Sequence, residues 1–140
     1  MDTLEALKTQ LERTGEVTFI IPVAPVTKKN HSQIIRNRKT GKRMVIPSKQ
    51  YTAYLEAVRE YIPALGIDSR VNVKAVFYLK ARYKADLTNL CQALHDVMVA
   101  CGCVADDNCR IIASMDGTEA GWDKENPRTE VTITKKETKE

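Results

Sequence analysis

Residues 83–112, YKADLTNLCQALHDVMVACGCVADDNCRII, decide how this chain is read. From Asp86 to Cys101, apolar residues recur at Leu87, Leu90, Leu94, Val97 and Cys101. That spacing predicts a helix with one buried stripe. Asp86 stands where the helix begins and has the chemistry of an N-cap. Gly102 is a natural stop. At about 100° per residue, Asn89 and Asp96 project almost in line, with Asp86 on the same side at the helix start. Thr88, Gln92 and His95 point further round, toward solvent or a partner. Asp106-Asp107-Asn108 then read as a turn. The apolar run at residues 110–115 follows as a strand. The helix is therefore bracketed by carboxylates.

Upstream, Val71, Val73, Ala75, Phe77, Leu79 and Ala81 alternate with Asn72, Lys74, Tyr78, Lys80 and Arg82. This period of two predicts a half-buried strand with one core face and one basic face. Before it, Tyr51, Tyr54, Leu55, Val58 and Ile62 recur at helical spacing, with Ser48 a candidate N-cap and Pro63 and Gly66 as terminators. The β-branched run Val17 to Ile21 predicts a buried strand, stopped by Pro22 and Pro25. Gln33-Ile34-Ile35 and Met44-Val45-Ile46 flank RNRKTGKR, with Thr40-Gly41 as turn chemistry, so a basic β-hairpin or flap is expected there. Asp2 to Arg13 reads as a short amphipathic helix closed by Thr14-Gly15. Asp116 to Pro127 reads as a turn-rich loop in which Trp122 covers the sheet edge or packs beneath the loop. Thr129 to Ile133 is a closing strand, and residues 136–140 form a frayed charged tail.

The length of 140 residues suits a single domain spanning the whole chain, with residues 1–15 as an additional N-terminal helix. No apolar run approaches the ~20 residues of a membrane span, and the acidic N-terminus is unlike a signal peptide. An intracellular, cytoplasmic protein with no membrane partner is expected. Cys91, Cys101, Cys103 and Cys109 lie close together in sequence, but a C-x-C with no second pair argues against structural zinc and for free thiols. The net charge of +4 conceals a sharper pattern. Residues 17–55 contain no acid and eight basic residues, Lys28, Lys29, Arg36, Arg38, Lys39, Lys42, Arg43 and Lys49, leaving 14 basic and 18 acidic residues elsewhere. A basic segment of this kind favours a polyanionic partner, although a solvated basic hairpin has the same composition.

Carboxylates at element ends in a basic protein suit a hard divalent cation, which takes oxygen ligands and completes its shell with water and substrate phosphate. Each acid also has a plain structural explanation: Asp86 as a helix cap, Asp96 as a solvated helix residue, Asp106-Asp107 as a turn. His31 and His95 read as surface residues.

The pattern Asp86-Leu87-Thr88-Asn89-Leu90, Ala93-Leu94, Asp96, Gly102, Asp106-Asp107 and Ile111 resembles the RusA family of Holliday-junction resolvases. The segment before it is also similar: a strand, Pro25, Lys28-Lys29, a basic hairpin, then Pro47, Lys49 and Tyr54 opening a helix. The resemblance covers roughly residues 17–135 and leaves the N-terminal helix outside. It implies an α+β homodimer, here with a small mixed sheet of about four strands, two main helices packed on it and the extra N-terminal helix. It implies a Mg²⁺-dependent endonuclease, with Mn²⁺ as a substitute. Such an enzyme binds four-way DNA junctions and resolves them by paired symmetric cuts in recombination and repair.

Carried over residue by residue, Asp86 and Asp107 match metal-binding acids, Asp106 matches the acid beside the latter, and Asn89 and Asp96 match helical positions in support. Lys28, Lys29, Asn30, Arg36, Arg38, Arg43 and Lys49 are the expected DNA contacts. Two positions depart. Thr88 stands where better-known members carry a second metal-binding Asp, and Gln92 where they carry a lysine. Thr88 offers a hydroxyl but no charge, and Lys84 is a candidate to supply the missing cation in catalysis. These departures also motivate an alternative, a junction-binding protein with weak or no nuclease activity. An RNA-binding domain ranks below both, since the chain lacks interleaved aromatics for stacking.

Overall fold

The computed structural model describes residues 3–27, 32–36, 38–47, 49–82 and 84–137. Strands β1 (Glu16–Ile21), β4 (Val71–Leu79) and β7 (Arg128–Lys135) alternate strictly between buried and more exposed side chains. Register then aligns the buried sets: Val17 faces Ile133 and Ile133 faces Val73, while Phe19 faces Val131 and Val131 faces Ala75. One face of the sheet is thus apolar and the other polar, as a period of two requires. Helices α2 (Lys49–Val58) and α3 (Leu87–Ala100) bury Tyr54, Val58, Leu90, Leu94 and Val97 in the same core cluster as the inward strand residues. The N-terminal helix α1 (Thr3–Thr14) adds Leu11 to that cluster and rests against β1.

The architecture is α+β, as expected, with a mixed sheet. It has five strands rather than about four. Strand order runs β1-β7-β4, antiparallel throughout, and the far edge of β4 takes two short parallel strands, β5 (Ile112–Ser114) and β6 (Glu119–Trp122). β6 lies in the segment expected to be all loop. Its four residues contain Gly121 and no β-branched side chain, so local propensity gives no sign of it. Pairing with the open edge of β4, from Val76↔Glu119 to Leu79↔Trp122, makes it a strand. Between β5 and β6, side chains replace the ladder. Asn72 Oδ1 accepts from Ser114 Oγ at 2.6 Å and from the Asp116 N–H at 2.7 Å, and Thr118 Oγ1 accepts from the Ala75 N–H at 3.2 Å. The groups on that edge therefore remain satisfied.

The basic hairpin forms as read, β2 (Ser32–Arg36) pairing with β3 (Arg43–Pro47) in its own two-stranded sheet. Ser48, the expected cap of α2, lies outside the described residues. The tail is attached further than expected: the Lys136 N–H bonds Arg70 O at 3.0 Å and Arg70 Nη1 bonds Glu137 O at 3.1 Å. Among the described residues no helix is long and apolar enough to cross a membrane.

The β4–α3–β5 crossover positions the acids. α3 ends in a Schellman arrangement: Gly102 at φ +78°, its N–H on Val99 O at 3.0 Å, and the Cys103 N–H on Met98 O at 2.9 Å. The chain after Gly102 is then stitched to the 66–67 segment. Ile67 N donates to Cys103 O at 3.1 Å, and Ala105 N donates to Ile67 O at 2.8 Å. The loop carrying Asp106 and Asp107 leaves from this fixed point. Leu94 is fully buried at the centre of the helix stripe. Leu94→Ala is expected to destabilise the fold by about 3 kcal/mol, within the range for core Leu truncations. Urea unfolding followed by circular dichroism measures this, and a loss under ~1 kcal/mol would show that α3 is not anchored as described.

Candidate active site

Asp86 occupies the N-cap position of α3, with extended backbone at φ −75° and ψ 126°. Its carbonyl accepts from the Asn89 and Leu90 N–H groups. Its carboxylate makes no capping hydrogen bond. Instead Asp86 Oδ2 accepts from Asn89 Nδ2 at 3.2 Å. The position is that of a cap, but the side chain is directed elsewhere and oriented by the helical Asn. The expected pairing of Asp86 and Asn89 on one side is thus present.

Asp106 behaves differently. Its Oδ1 accepts from the Asp107 N–H at 2.7 Å and its Oδ2 from Asn108 Nδ2 at 3.1 Å, while Asn108 Oδ1 accepts from the Arg110 N–H at 2.9 Å. These bonds shape an Asx-type turn before β5. Asp106 therefore builds the loop, and Asp107, exposed next to it, is what the loop presents.

Further along α3, Asp96 Oδ2 accepts from the Tyr51 hydroxyl of α2 at 3.3 Å. Burial, with Asp96 alongside, pushes the Tyr51 pKa up to about 12, so the phenol stays a donor. Asp96 is consequently half-buried and tied to the neighbouring helix rather than solvated. His95, expected at the surface, is also half-buried. Burial lowers its pKa, and the negative charges of Asp107 and Asp96 oppose that shift. His95 thus lies within the electrostatic reach of both carboxylates. Asp86 is oriented by Asn89 at the helix start, and the charge of Asp107 is felt by His95 further along.

Thr88, Gln92 and Lys84 are exposed. On the hairpin side, Arg38, Arg43 and Lys49 are exposed. Arg36 lies in β2. Lys28, Lys29, Asn30 and His31 lie outside the described residues. Cys91 and Cys103 belong to the core, where burial pushes the Cys103 thiol up to about 12, and all four cysteines are free.

Among the described residues, no three His, Cys, Asp or Glu side chains gather as a metal cage. Mg²⁺ does not need one, since it usually takes one or two carboxylates plus water and substrate phosphate. Two exposed carboxylates, Asp86 and Asp107, free of ion pairs among the described residues, fit that donor pattern.

Residues 22–134 match the family model for endodeoxyribonuclease RusA. The chain belongs to the RusA family. Its members are endodeoxyribonucleases, and the match takes in every strand from β2 to β6 and both main helices. No curated protein matches the chain.

Two features of this RusA domain escaped the sequence: the Tyr51–Asp96 bond and the exposure of Trp122 beneath Arg82. Each joins residues from different elements, which no local pattern announces. The His95 environment has a consequence for stability. With its pKa lowered on folding, the unfolded chain binds the extra proton first. Stability is then retained above the ordinary His pKa and lost as pH falls below about 6.5. In chelator-containing buffer, His95→Gln is expected to flatten the fall in melting temperature between about pH 6.5 and 5. An unchanged slope in that variant would show that His95 titrates normally.

Proposed function

We propose that this RusA-family protein is a Mg²⁺-dependent endonuclease that resolves four-way DNA junctions as a homodimer, with Mn²⁺ able to substitute. The family match over residues 22–134 carries this conclusion. The uncapped carboxylate of Asp86 and the loop-presented carboxylate of Asp107 support it. Asp86 and Asp107 hold the cation with a DNA phosphate, and Asp106 acts with them mainly by fixing the loop. Asn89 orients Asp86, and Asp96 holds α3 to α2 beside the acid loop. When bound, Mg²⁺ polarises the scissile phosphate and makes water nucleophilic at neutral pH. Lys84, two residues before Asp86, places positive charge beside that phosphate. Lys28, Lys29, Asn30, Arg36, Arg38, Arg43 and Lys49 contact phosphates along the junction arms. A two-fold dimer matches a two-fold substrate and gives paired, symmetric cuts. Such an enzyme serves DNA recombination and repair inside the cell.

Asp107→Asn and Asp86→Asn are each expected to slow cutting of a synthetic four-way junction by about 10²-fold or more, the scale of losing one charge-stabilising group. Junction binding in chelator should be unchanged. Full-rate cleavage by either variant would remove that residue from the metal site.

The hairpin makes a separate, thermodynamic claim. Removing Arg38 and Arg43 together should weaken junction binding and lower the slope of log affinity against log salt by about 2, near 0.9 per lost phosphate contact. An unchanged slope would place the DNA elsewhere.

A second function, junction binding with little or no cutting, is favoured by one observation: Thr88 is exposed where another carboxylate would complete the ligand set. Comparing junction with linear duplex, with and without Mg²⁺, separates the two. Mg²⁺-dependent cuts in the junction alone establish the nuclease, and tight junction binding with intact strands establishes the alternative.

A further inference from the structure

We propose that Trp122 and Arg82 form a stacking platform for a single unpaired DNA base beside the candidate active site. This deepens the branched-DNA function above and rests on it. Trp122 ends β6 and is 54% exposed, the highest value among the large hydrophobic side chains described. An indole is costly to leave in water, and it was expected to pack against the sheet or under its loop. Instead the Arg82 guanidinium lies over it, 4.8 Å from the ring centroid. One ring face thus takes a cation–π contact while more than half of the residue stays accessible.

Its position is fixed. Trp122 pairs with Leu79, the last residue of β4, and the next residue donates from Asp123 N to Leu79 O at 2.9 Å. Arg128 Nη1 bonds Asp123 Oδ2 at 2.9 Å, and the Arg128 guanidinium is itself seated 3.9 Å over the Tyr78 ring. The ring is therefore presented by a braced strand end. Paired residues of adjacent strands share a face, so Trp122 leaves the sheet on the side of buried Leu79, the side that α3 covers.

Leu79 is also the point from which the chain runs to Asp86. That connection carries Lys80, Arg82 and Lys84, all exposed, and no acid before Asp86. Cations that track a phosphate backbone, with an aromatic face between them, are the components of single-strand recognition, because every base has a π-face. Among the described residues of this patch Trp122 is the one exposed aromatic, and it offers a face for one base. A branch point supplies such a base at low cost, since unstacking is cheapest where pairing is already interrupted.

Trp122 is the sole tryptophan, so intrinsic emission reads this ring alone. The wild-type protein is titrated in chelator with a four-way junction, a linear duplex and a single-stranded oligonucleotide, while anisotropy of labelled DNA follows binding. Junction binding should quench the emission and duplex binding should not. Trp122→Ala should weaken junction binding about tenfold, the scale of one base–aromatic stack, and Trp122→Phe should restore most of it. A bound junction that leaves emission unchanged, or a Trp122→Ala variant that binds like wild type, overturns the platform and leaves the nuclease function standing. Quenching by the single strand without junction binding supports the platform and overturns the junction function. Binding to none of the three overturns both.

Discussion

The docking of the α3 stripe onto one face of β4 constrains everything that the candidate site depends on. β4 pairs with β7 along one edge and with β5 and β6 along the other, so its side chains have no freedom to shift register. A slip of one residue would exchange its buried and exposed sets. Leu90, Leu94 and Val97 are held against that face, and the helix cannot rotate without exposing them. Rotation is what determines the direction of Asn89 and Asp96. The apolar stripe and the polar residues are thus one constraint: burying the first aims the second.

Hydrogen bonding then divides the acids into different tasks. All are carboxylates at turns or helix positions, and composition treats them alike. Asp106 accepts two bonds from its own turn, and Asp96 accepts one from Tyr51 across a helix pair. The Asp86 carboxylate accepts, among the described residues, from Asn89 three residues on, and leaves the helix N-terminus uncapped by its side chain. An unused cap is a cost to the helix of about 1 kcal/mol relative to a well-made one. Local rules broken without a local compensation are concentrated at functional sites. The departure at Asp86 makes it a candidate of this kind, whereas Asp106 is adequately explained by the loop it shapes.

Much of this was legible in the sequence because the signals were periodic. β4, α3 and the basic hairpin follow from alternation, a helical stripe and turn chemistry, and the spacing from Asp86 to Asp107 pointed to the RusA family before any geometry was known. What was not legible depends on contacts between distant segments. β6 is a strand because β4 has an open edge, not because Glu119–Trp122 favours extension. His95 is half-buried although its place on the helical wheel pointed toward solvent. Trp122 was expected to cover the sheet edge or pack beneath its loop; it stands at the sheet edge, more than half exposed, with a guanidinium over its ring.

Thr88 bears on how a metal would be held under the proposed function. A site with three carboxylates can bind a divalent cation before the substrate arrives, at the expense of mutual repulsion among the acids. With Asp86 and Asp107 alone, that repulsion is smaller, and so is the attraction for a bare cation. A DNA phosphate would then complete the ligand set, and cation and DNA would bind cooperatively, each raising affinity for the other by the same factor. In such an arrangement the basic hairpin and Lys84 contribute to metal affinity indirectly, by holding the phosphate that completes the shell. Under the proposed function, selectivity for the right DNA structure and occupancy by the metal would then cease to be separate properties, since a duplex that failed to offer its phosphate to the site would also fail to retain the cation.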